Sequence, residues 1–312
     1  MTVPFFKLQL AGNGFILVDL AQIRPDERER TVPTDDAAEA LPTGPGGGIE
    51  SNLYPEAARK LCDRRFGVGA TGAIFLSADN TIRIFGAQGQ PVTNGDDAIL
   101  CAARYAFDSG RLTNRTITFR TPLGERKVTV LGAHEFRLNI GSPFSLLSGR
   151  VITTNSNGIV ETIERDQVRA AYAAIHIHED VVVAFPEGLG TLNFSGFSSL
   201  IQKAFPAKQV TPAIARCVTK ETILVRTAVK RESGCCAVAA ASLVAAFSTG
   251  LGEKDAVVIF EYAGTDGQPD EAVAKDRDNS RRLAVSWDAA ENDLFVTGTG
   301  GYLFEGKFDL SL

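Results

Sequence analysis

The stretch Ser233–Gly250, SGCCAVAAASLVAAFSTG, decides how the rest of the chain is read. It is rich in Ala, Val and Leu and apolar nearly all round, which predicts a helix with no face for water. Such a helix belongs inside other structure, and the flanking sequence supplies the material. Short alternating apolar runs bounded by Gly, Asn and Asp recur along the chain and read as strands. Phe5–Leu10, Phe15–Asp19, Gly72–Leu76, Thr81–Phe85, Thr116–Arg120, Arg126–Leu131 and Glu135–Ile140 form a first group. Val181–Phe185, Ile223–Thr227, Ala256–Tyr262, Arg282–Trp287 and Asp293–Thr297 form a second, and Gly301–Phe308 a last strand. Helical spacing marks Tyr54–Arg65, with Pro55 suited to a first turn, and Asp97–Gly110. Ser198–Phe205 and Arg165–Ala174 are weaker helical stretches.

The expected fold class is therefore α/β (α+β): two similar lobes, each a curled, mostly antiparallel sheet around a central helix. A boundary near Gly141–Ser142–Pro143 gives an N-terminal lobe of residues 1–143 joined by the final strand 299–312, and a C-terminal lobe of residues 144–298. The segment Arg28–Asn52 is polar, holds Gly44–Pro45–Gly46–Gly47–Gly48 and has almost nothing to bury. It reads as a long loop placed where a lid could lie.

Composition narrows the class of function. The chain has 312 residues, 44% of them hydrophobic, and a net charge of −5, so nothing favours nucleic acid or an anionic membrane as partner. No apolar run approaches the roughly 20 residues that span a bilayer. The stretch Met1–Asp19 reads as a first strand rather than a signal peptide. The five cysteines have no disulfide-framework spacing, which fits a reducing, cytoplasmic location. Oligomeric state stays open, a homodimer included.

Four motifs carry candidate chemistry. Gly67–Val68–Gly69–Ala70–Thr71–Gly72 has the glycine spacing of a dinucleotide fingerprint. The helix precedes it and the strand follows, the reverse of what phosphate binding requires, so it reads as a turn. His176 and His178 would share one face of an extended segment, but two ligands without a third make a poor metal site and a polar strand end is the plainer reading. Cys235 and Cys236 follow Ser233, a good N-cap, and so fall in the first turn of the buried helix, where the dipole favours a thiolate. Small thiols packing in an Ala-rich helix is the alternative. Asp96–Asp97 opens the other helix, where capping competes with a role as carboxylate base.

Taken in order, these blocks resemble the diaminopimelate epimerase family. Phe6–Lys7–Leu8 and Gly12–Asn13–Gly14–Phe15–Ile16–Leu17–Val18–Asp19 are similar to its F-K-M … G-N-D-F-V-V-x-D. Arg65–Gly72 looks like R-x-x-G-I-G-A-D-G, and Arg83–Tyr105 lies without a gap on R-x-F-N-x-D-G-S … C-G-N-G-x-R-C-x-A-x-Y. Thr121–Gly124, Asn139–Pro143, Val296–Gly298 and Phe304–Gly306 match further blocks. The resemblance implies an active site in a cleft between the lobes. One cysteine from each lobe, at a helix N-terminus, would move the α-proton of an amino acid without pyridoxal phosphate, metal or other cofactor. Inversion needs two acid/base groups on opposite faces of one carbon, and helix N-termini receive the substrate carboxylate.

The sequence departs from the family where the chemistry sits. The first-lobe cysteine is Gly95, followed by Asp96 and Asp97, and the asparagine of R-x-F-N is Gly86. The second-lobe cysteine matches Cys235, with Cys236 the counterpart if the register shifts by one. The family's Glu–Arg pair falls on Arg226–Thr227, and its G-N-P-H block falls near His176–Asp180. A carboxylate about 4 Å from a substrate carboxylate costs on the order of 4 kcal/mol at an effective dielectric of about 20. Diaminopimelate epimerisation in the family's pose is thereby disfavoured.

Two functions remain. One is a cofactor-independent isomerase or racemase of a small amino acid or related acid, with Cys235, Cys236 and Asp96 as acid/base groups. Asn13, Asp97, Gly95, Gly234, Arg226 and His178 would bind its substrate. The other is a catalytically silent relative that keeps the cleft for a small ligand or protein partner.

Overall fold

The computed structural model describes residues 1–23, 49–93, 95–111, 114–165, 168–186, 194–206, 210–227, 234–261 and 281–310. They form two compact units. Unit 1 comprises Met1–Gln9, Asn13–Lys127 and Gly300–Leu312, and unit 2 comprises Leu10–Gly12 and Val128–Thr299.

In unit 1 the strands β1 (Thr2–Leu10), β2 (Asn13–Asp19), β3 (Gly72–Leu76) and β4 (Ile82–Gly86) join the final strand, β18 (Gly301–Asp309), in the order β18-β1-β2-β3-β4. The β2–β3 pair is parallel, and the β1–β18 and β3–β4 pairs are antiparallel. Helix α1 (Tyr54–Cys62) packs Ala57, Ala58 and Leu61 against Val3, Phe5, Ile16, Val18, Ala73 and Phe75. It stops short of the expected Arg65 because Asp63 turns the chain, its Oδ1 accepting the N–H groups of Arg65 and Phe66 at 2.7 and 2.8 Å. Helix α2 (Asp96–Asp108) contacts β2 and β3, and near its C-terminal end Tyr105 donates its hydroxyl to buried Asp19 at 2.7 Å. Arg111 pairs with the same carboxylate.

The chain passes from unit 1 to unit 2 within β6 (Gly124–Gly132), which follows β5 (Thr116–Thr121). The division thus falls at Lys127–Val128, ahead of Gly141–Pro143, because β7 (Glu135–Gly141) pairs with β17 (Asp293–Gly298) inside unit 2.

Unit 2 adds β8 (Phe144–Ser145), β9 (Arg150–Val151), β10 (Glu161–Arg165), β11 (Val168–Ile177), β12 (Glu179–Pro186), β13 (Thr211–Thr219), β14 (Thr222–Thr227), β15 (Asp255–Glu261) and β16 (Arg282–Asp288). From β7 the sheet runs β7-β17-β16-β15-β14-β13-β12-β11-β8-β9, antiparallel except at β12–β13 and β14–β15. Helix α4 (Cys235–Ser248) touches every strand from β11 to β17, and each of its residues from Cys235 to Ala246 is buried. Its one buried hydroxyl, Ser242, donates to the Val238 carbonyl at 2.7 Å, so no polar group is stranded. Helix α3 (Phe194–Ala204) packs Phe197 and Ile201 on Ala170, Ala174, Val182 and Ala184, residues of β11 and β12. Residues Val181 to Phe185 of β12 are accordingly all buried, the signature of a strand covered on both faces.

The α/β class with mostly antiparallel sheets stands, with two corrections. Where a helix was expected over Arg165–Ala174, Arg165 ends β10 and Val168–Ala174 belong to β11: the alanines favour a helix, but packing overrides propensity. Strand β13 escaped the sequence reading because Pro212 and its polar end obscure the pattern. The loop expected at Arg28–Asn52 lies outside the described residues up to Gly48, and Ser51–Leu53 is a short 3-10 turn leading into α1. Among the described residues no helix is long and apolar enough to cross a membrane.

The Gly67–Gly72 stretch is the turn its order implied, folded under α1. A Cβ on Gly67 would lie 2.1 Å from the Lys60 carbonyl oxygen and under 3.0 Å from two more carbonyl oxygens. Backbone cannot yield as a side chain can. Gly67→Ala should therefore lower stability by about 2–4 kcal/mol, read from urea unfolding, whereas alanine at open Gly196 should have little effect.

Candidate active site

In unit 1 the candidate groups gather at the start of α2. Gly95 is the N-cap and has no side chain to cap the helix. Asp96 and Asp97 are the first helical residues, only 4% and 2% exposed. One oxygen of each carboxylate meets another element. Asp96 Oδ1 accepts from Arg126 Nη2 on β6 at 2.6 Å, and Asp97 Oδ2 accepts from Asn13 Nδ2 at the head of β2 at 2.9 Å. The helix start favours negative charge, and the guanidinium stabilises it further.

Asn13 is itself buried, and its Oδ1 has no hydrogen-bond partner among the described residues. An unsatisfied buried acceptor costs about 1–3 kcal/mol, so it marks a place where a donor is expected. The cluster therefore presents a carboxylate and an amide acceptor side by side.

Gly95, where the family resemblance puts a cysteine, is closely packed. A Cβ there would fall 2.6 Å from Ile84 Cδ1, on β4. That methyl ends a flexible side chain, so a Cβ at residue 95 would require it to shift.

In unit 2 the start of α4 carries Cys235 and Cys236 as its first two residues, both buried. The N-cap is Gly234, with φ −77° and ψ 132°, one residue later than the Ser233 expected from sequence, and Ser233 lies outside the described residues. The cap is held by a residue that sequence reasoning missed. Glu179 Oε1 accepts the Gly234 N–H at 2.9 Å. A tight reversal brings it there, with Ile177 opposite Glu179 and only His178 between them at φ +60°. The adjacent His–Glu–Asp run was the available signal, but its hairpin was not legible. The Cys235 thiol donates to the Ala11 carbonyl at 3.7 Å, from a turn where Ala11 and Gly12 both have positive φ.

The remaining sequence candidates scatter. His176 Nδ1 lies 2.6 Å from Asp180 Oδ1 across the β11–β12 hairpin, while His178 sits at the turn, so the two imidazoles do not share a strand face. Among the described residues no three His, Cys, Asp or Glu side chains are grouped to hold a metal ion. Arg226 faces Glu261 on the neighbouring strand β15 at 3.6 Å, a sheet ion pair. The other thiols are poor nucleophiles: burial pushes Cys62 up to about 12, Cys101 well above the ordinary thiol range, and Cys217 upward.

With the geometry in hand, the class is set by fold. The structure matches a phenazine biosynthesis protein of the PhzF family from Enterococcus faecalis with TM-score 0.59 at 14% identity, covering 99% of this chain and all of that one. It matches a hydroxyproline epimerase from Agrobacterium vitis, solved with trans-4-hydroxy-L-proline, with TM-score 0.54 at 10% identity, over 98% and 92% of the two chains. This is the diaminopimelate epimerase-like fold. In sequence the chain is 25% identical to the diaminopimelate epimerase of a Synechocystis species over 99% of this chain and the whole of that enzyme. It is 26% identical to that of Desulfitobacterium hafniense over 96% of each. No family model matches. The chain is a divergent relative of the diaminopimelate epimerases.

The Asp96–Arg126 pair is buried at the carboxylate and half-buried at the guanidinium, with side-chain exposures of 4% and 14%. Arg126→Ala should cost about 3–5 kcal/mol, since it leaves a buried carboxylate without its counter-charge. The Asp96→Ala, Arg126→Ala double variant should recover a large part of that loss in urea unfolding, a coupling that a packing defect at Arg126 alone would not give.

Proposed function

We propose that this chain is a cofactor-independent isomerase that moves the α-proton of a small amino acid or related acid. The two acid/base groups are a carboxylate, Asp96 or Asp97, and a thiol, Cys235 or Cys236. The relatives in sequence are named as epimerases, and a hydroxyproline epimerase shares the fold. Their chemistry is the reason for looking to an α-carbon.

One observation carries the reading further: the buried Asn13 amide oxygen beside the Asp97 carboxylate. Two acceptors of this kind match an ammonium group rather than a carboxylate. Arg126 offsets the charge of Asp96, so the repulsion expected from two aspartates is reduced to that of one. A substrate presenting its α-ammonium to this cluster meets attraction where a carboxylate would meet repulsion. Proton removal then needs a base and reprotonation an acid. A carboxylate and a thiol are chemically unlike groups, so one can serve as the base and the other as the acid of a directional pair.

The same acceptor pair also fits a silent relative that only binds an amine-bearing ligand. Exchange separates the two. In D₂O, over a panel of free amino acids that includes diaminopimelate, mass spectrometry should show α-deuterium uptake for at least one compound, lost in a Cys235→Ala, Cys236→Ala double variant. Uptake that persists in that variant removes the thiols from the mechanism. No uptake from folded protein, together with a melting temperature raised by one of the same compounds, establishes the binding protein instead.

A further inference from the structure

The start of α2 in unit 1 carries more negative charge than positive. Asp96 and Asp97 are both there, and Arg126 pairs with Asp96 at 2.6 Å. Beside Asp97 stands a further acceptor. The Asn13 amide is 5% exposed, donates Nδ2 to Asp97 Oδ2 at 2.9 Å, and leaves Oδ1 buried without a partner among the described residues. A buried acceptor in that state calls for a donor. An ionised carboxylate is acceptor only, so it answers neither the charge nor the amide.

This decides how an amino acid fares at the cluster. Its ammonium nitrogen and carboxyl carbon are bonded to one Cα and lie about 2.5 Å apart. An ammonium held on Asp97 at about 2.9 Å therefore brings its own carboxylate to within roughly 5 Å of the same aspartate. At an effective dielectric of about 20, two like charges at that distance weaken binding on the order of a hundredfold. The corresponding carboxamide has the same shape and keeps the ammonium. It sheds the negative charge and gains an NH2 group that can satisfy Asn13 Oδ1.

We infer that the ligand of this cluster is an α-amino carboxamide rather than a free α-amino acid. The inference rests on the isomerase reading above and narrows its substrate class. Unit 2, taken by itself, points the same way. The Gly234 N–H at the cap of α4, where a carboxylate could rest, is given to Glu179 at 2.9 Å, and Arg226 faces Glu261. The chemistry balances. A base takes the α-proton, the C–H electron pair passes into the enolate of the carboxamide, and a proton returns to the same carbon, with nothing oxidised or reduced. The carboxamide enolate bears one negative charge, where that of a carboxylate would bear two.

Paired probes test this in the full chain: L-alanine and L-alaninamide, L-leucine and L-leucinamide, L-lysine and L-lysinamide. The solution is held at about pH 6.5, below the α-amino range of about 7.7–8.0, so that the amides keep their ammonium. Isothermal titration calorimetry reads affinity, and mass spectrometry in D₂O reads α-deuterium uptake. For at least one pair the amide should bind about tenfold or more tightly than the acid and exchange faster. Asp97→Asn keeps the shape and removes the charge, so it should shrink that ratio about threefold or more, with circular dichroism unchanged. Asp96→Asn, which leaves the Arg126 charge uncompensated, should shrink it as well. An acid that binds as tightly as its amide, or that alone exchanges, overturns the inference and leaves the isomerase standing. A ratio indifferent to both variants overturns it too. Amides that bind more tightly without exchange uphold the ligand class and remove the isomerase. No binding by any pair at millimolar concentration overturns the inference outright.

Discussion

Helix α4 has no polar face, and every residue from Cys235 to Ala246 is shut away from water. That burial organises unit 2. An apolar helix of this kind is stable only if strands enclose it, and β11 to β17 all touch it. The interior of such a helix can do no chemistry, since its side chains meet only other apolar groups. Its first turn is different, because the N–H groups there have no partners within the helix. Cys235 and Cys236 stand at that turn, and Glu179 is brought to the N-cap by a one-residue reversal between two strands. Two thiols buried elsewhere, Cys62 and Cys101, are held protonated by burial.

Unit 1 uses the same device with different atoms. The family resemblance places a cysteine at Gly95, where a Cβ would meet the end of the Ile84 side chain. Ionisable character has moved one and two residues along the helix, to Asp96 and Asp97. A carboxylate at this position is stabilised by the helix start and needs a counter-charge or donors, which Arg126 and Asn13 provide. Asp96 and Asp97 thus come with supporting contacts of their own.

Much of this was legible in the sequence, for identifiable reasons. The all-round apolar stretch at Ser233–Gly250 and the alternating runs on either side carry strong periodicity, so α4 and most strands fall where expected. The Asp96–Asp97 and Cys235–Cys236 pairs were singled out by position at helix starts. What escaped was whatever depends on distant pairing. Arg126 is an ordinary arginine in an alternating strand until the sheet carries it to Asp96, 30 residues away in sequence. Glu179 sits in a polar run that could be a loop, a metal site or a hairpin, and only the reversal at His178 makes it a cap. Arg165–Ala174 was misread because an alanine-rich strand enclosed on both faces has the local composition of a helix.

The pH dependence of α-proton exchange, measured on whichever amino acid the chain turns over, tests the replacement of thiol by carboxylate most directly. A carboxylate–thiol pair gives a bell-shaped profile, its ascending limb set by the carboxylate and its descending limb by the thiol. Asp96→Asn or Asp97→Asn should abolish the exchange or remove the acidic limb. A profile whose ascending limb lies in the thiol range, unchanged in both asparagine variants, would contradict the account.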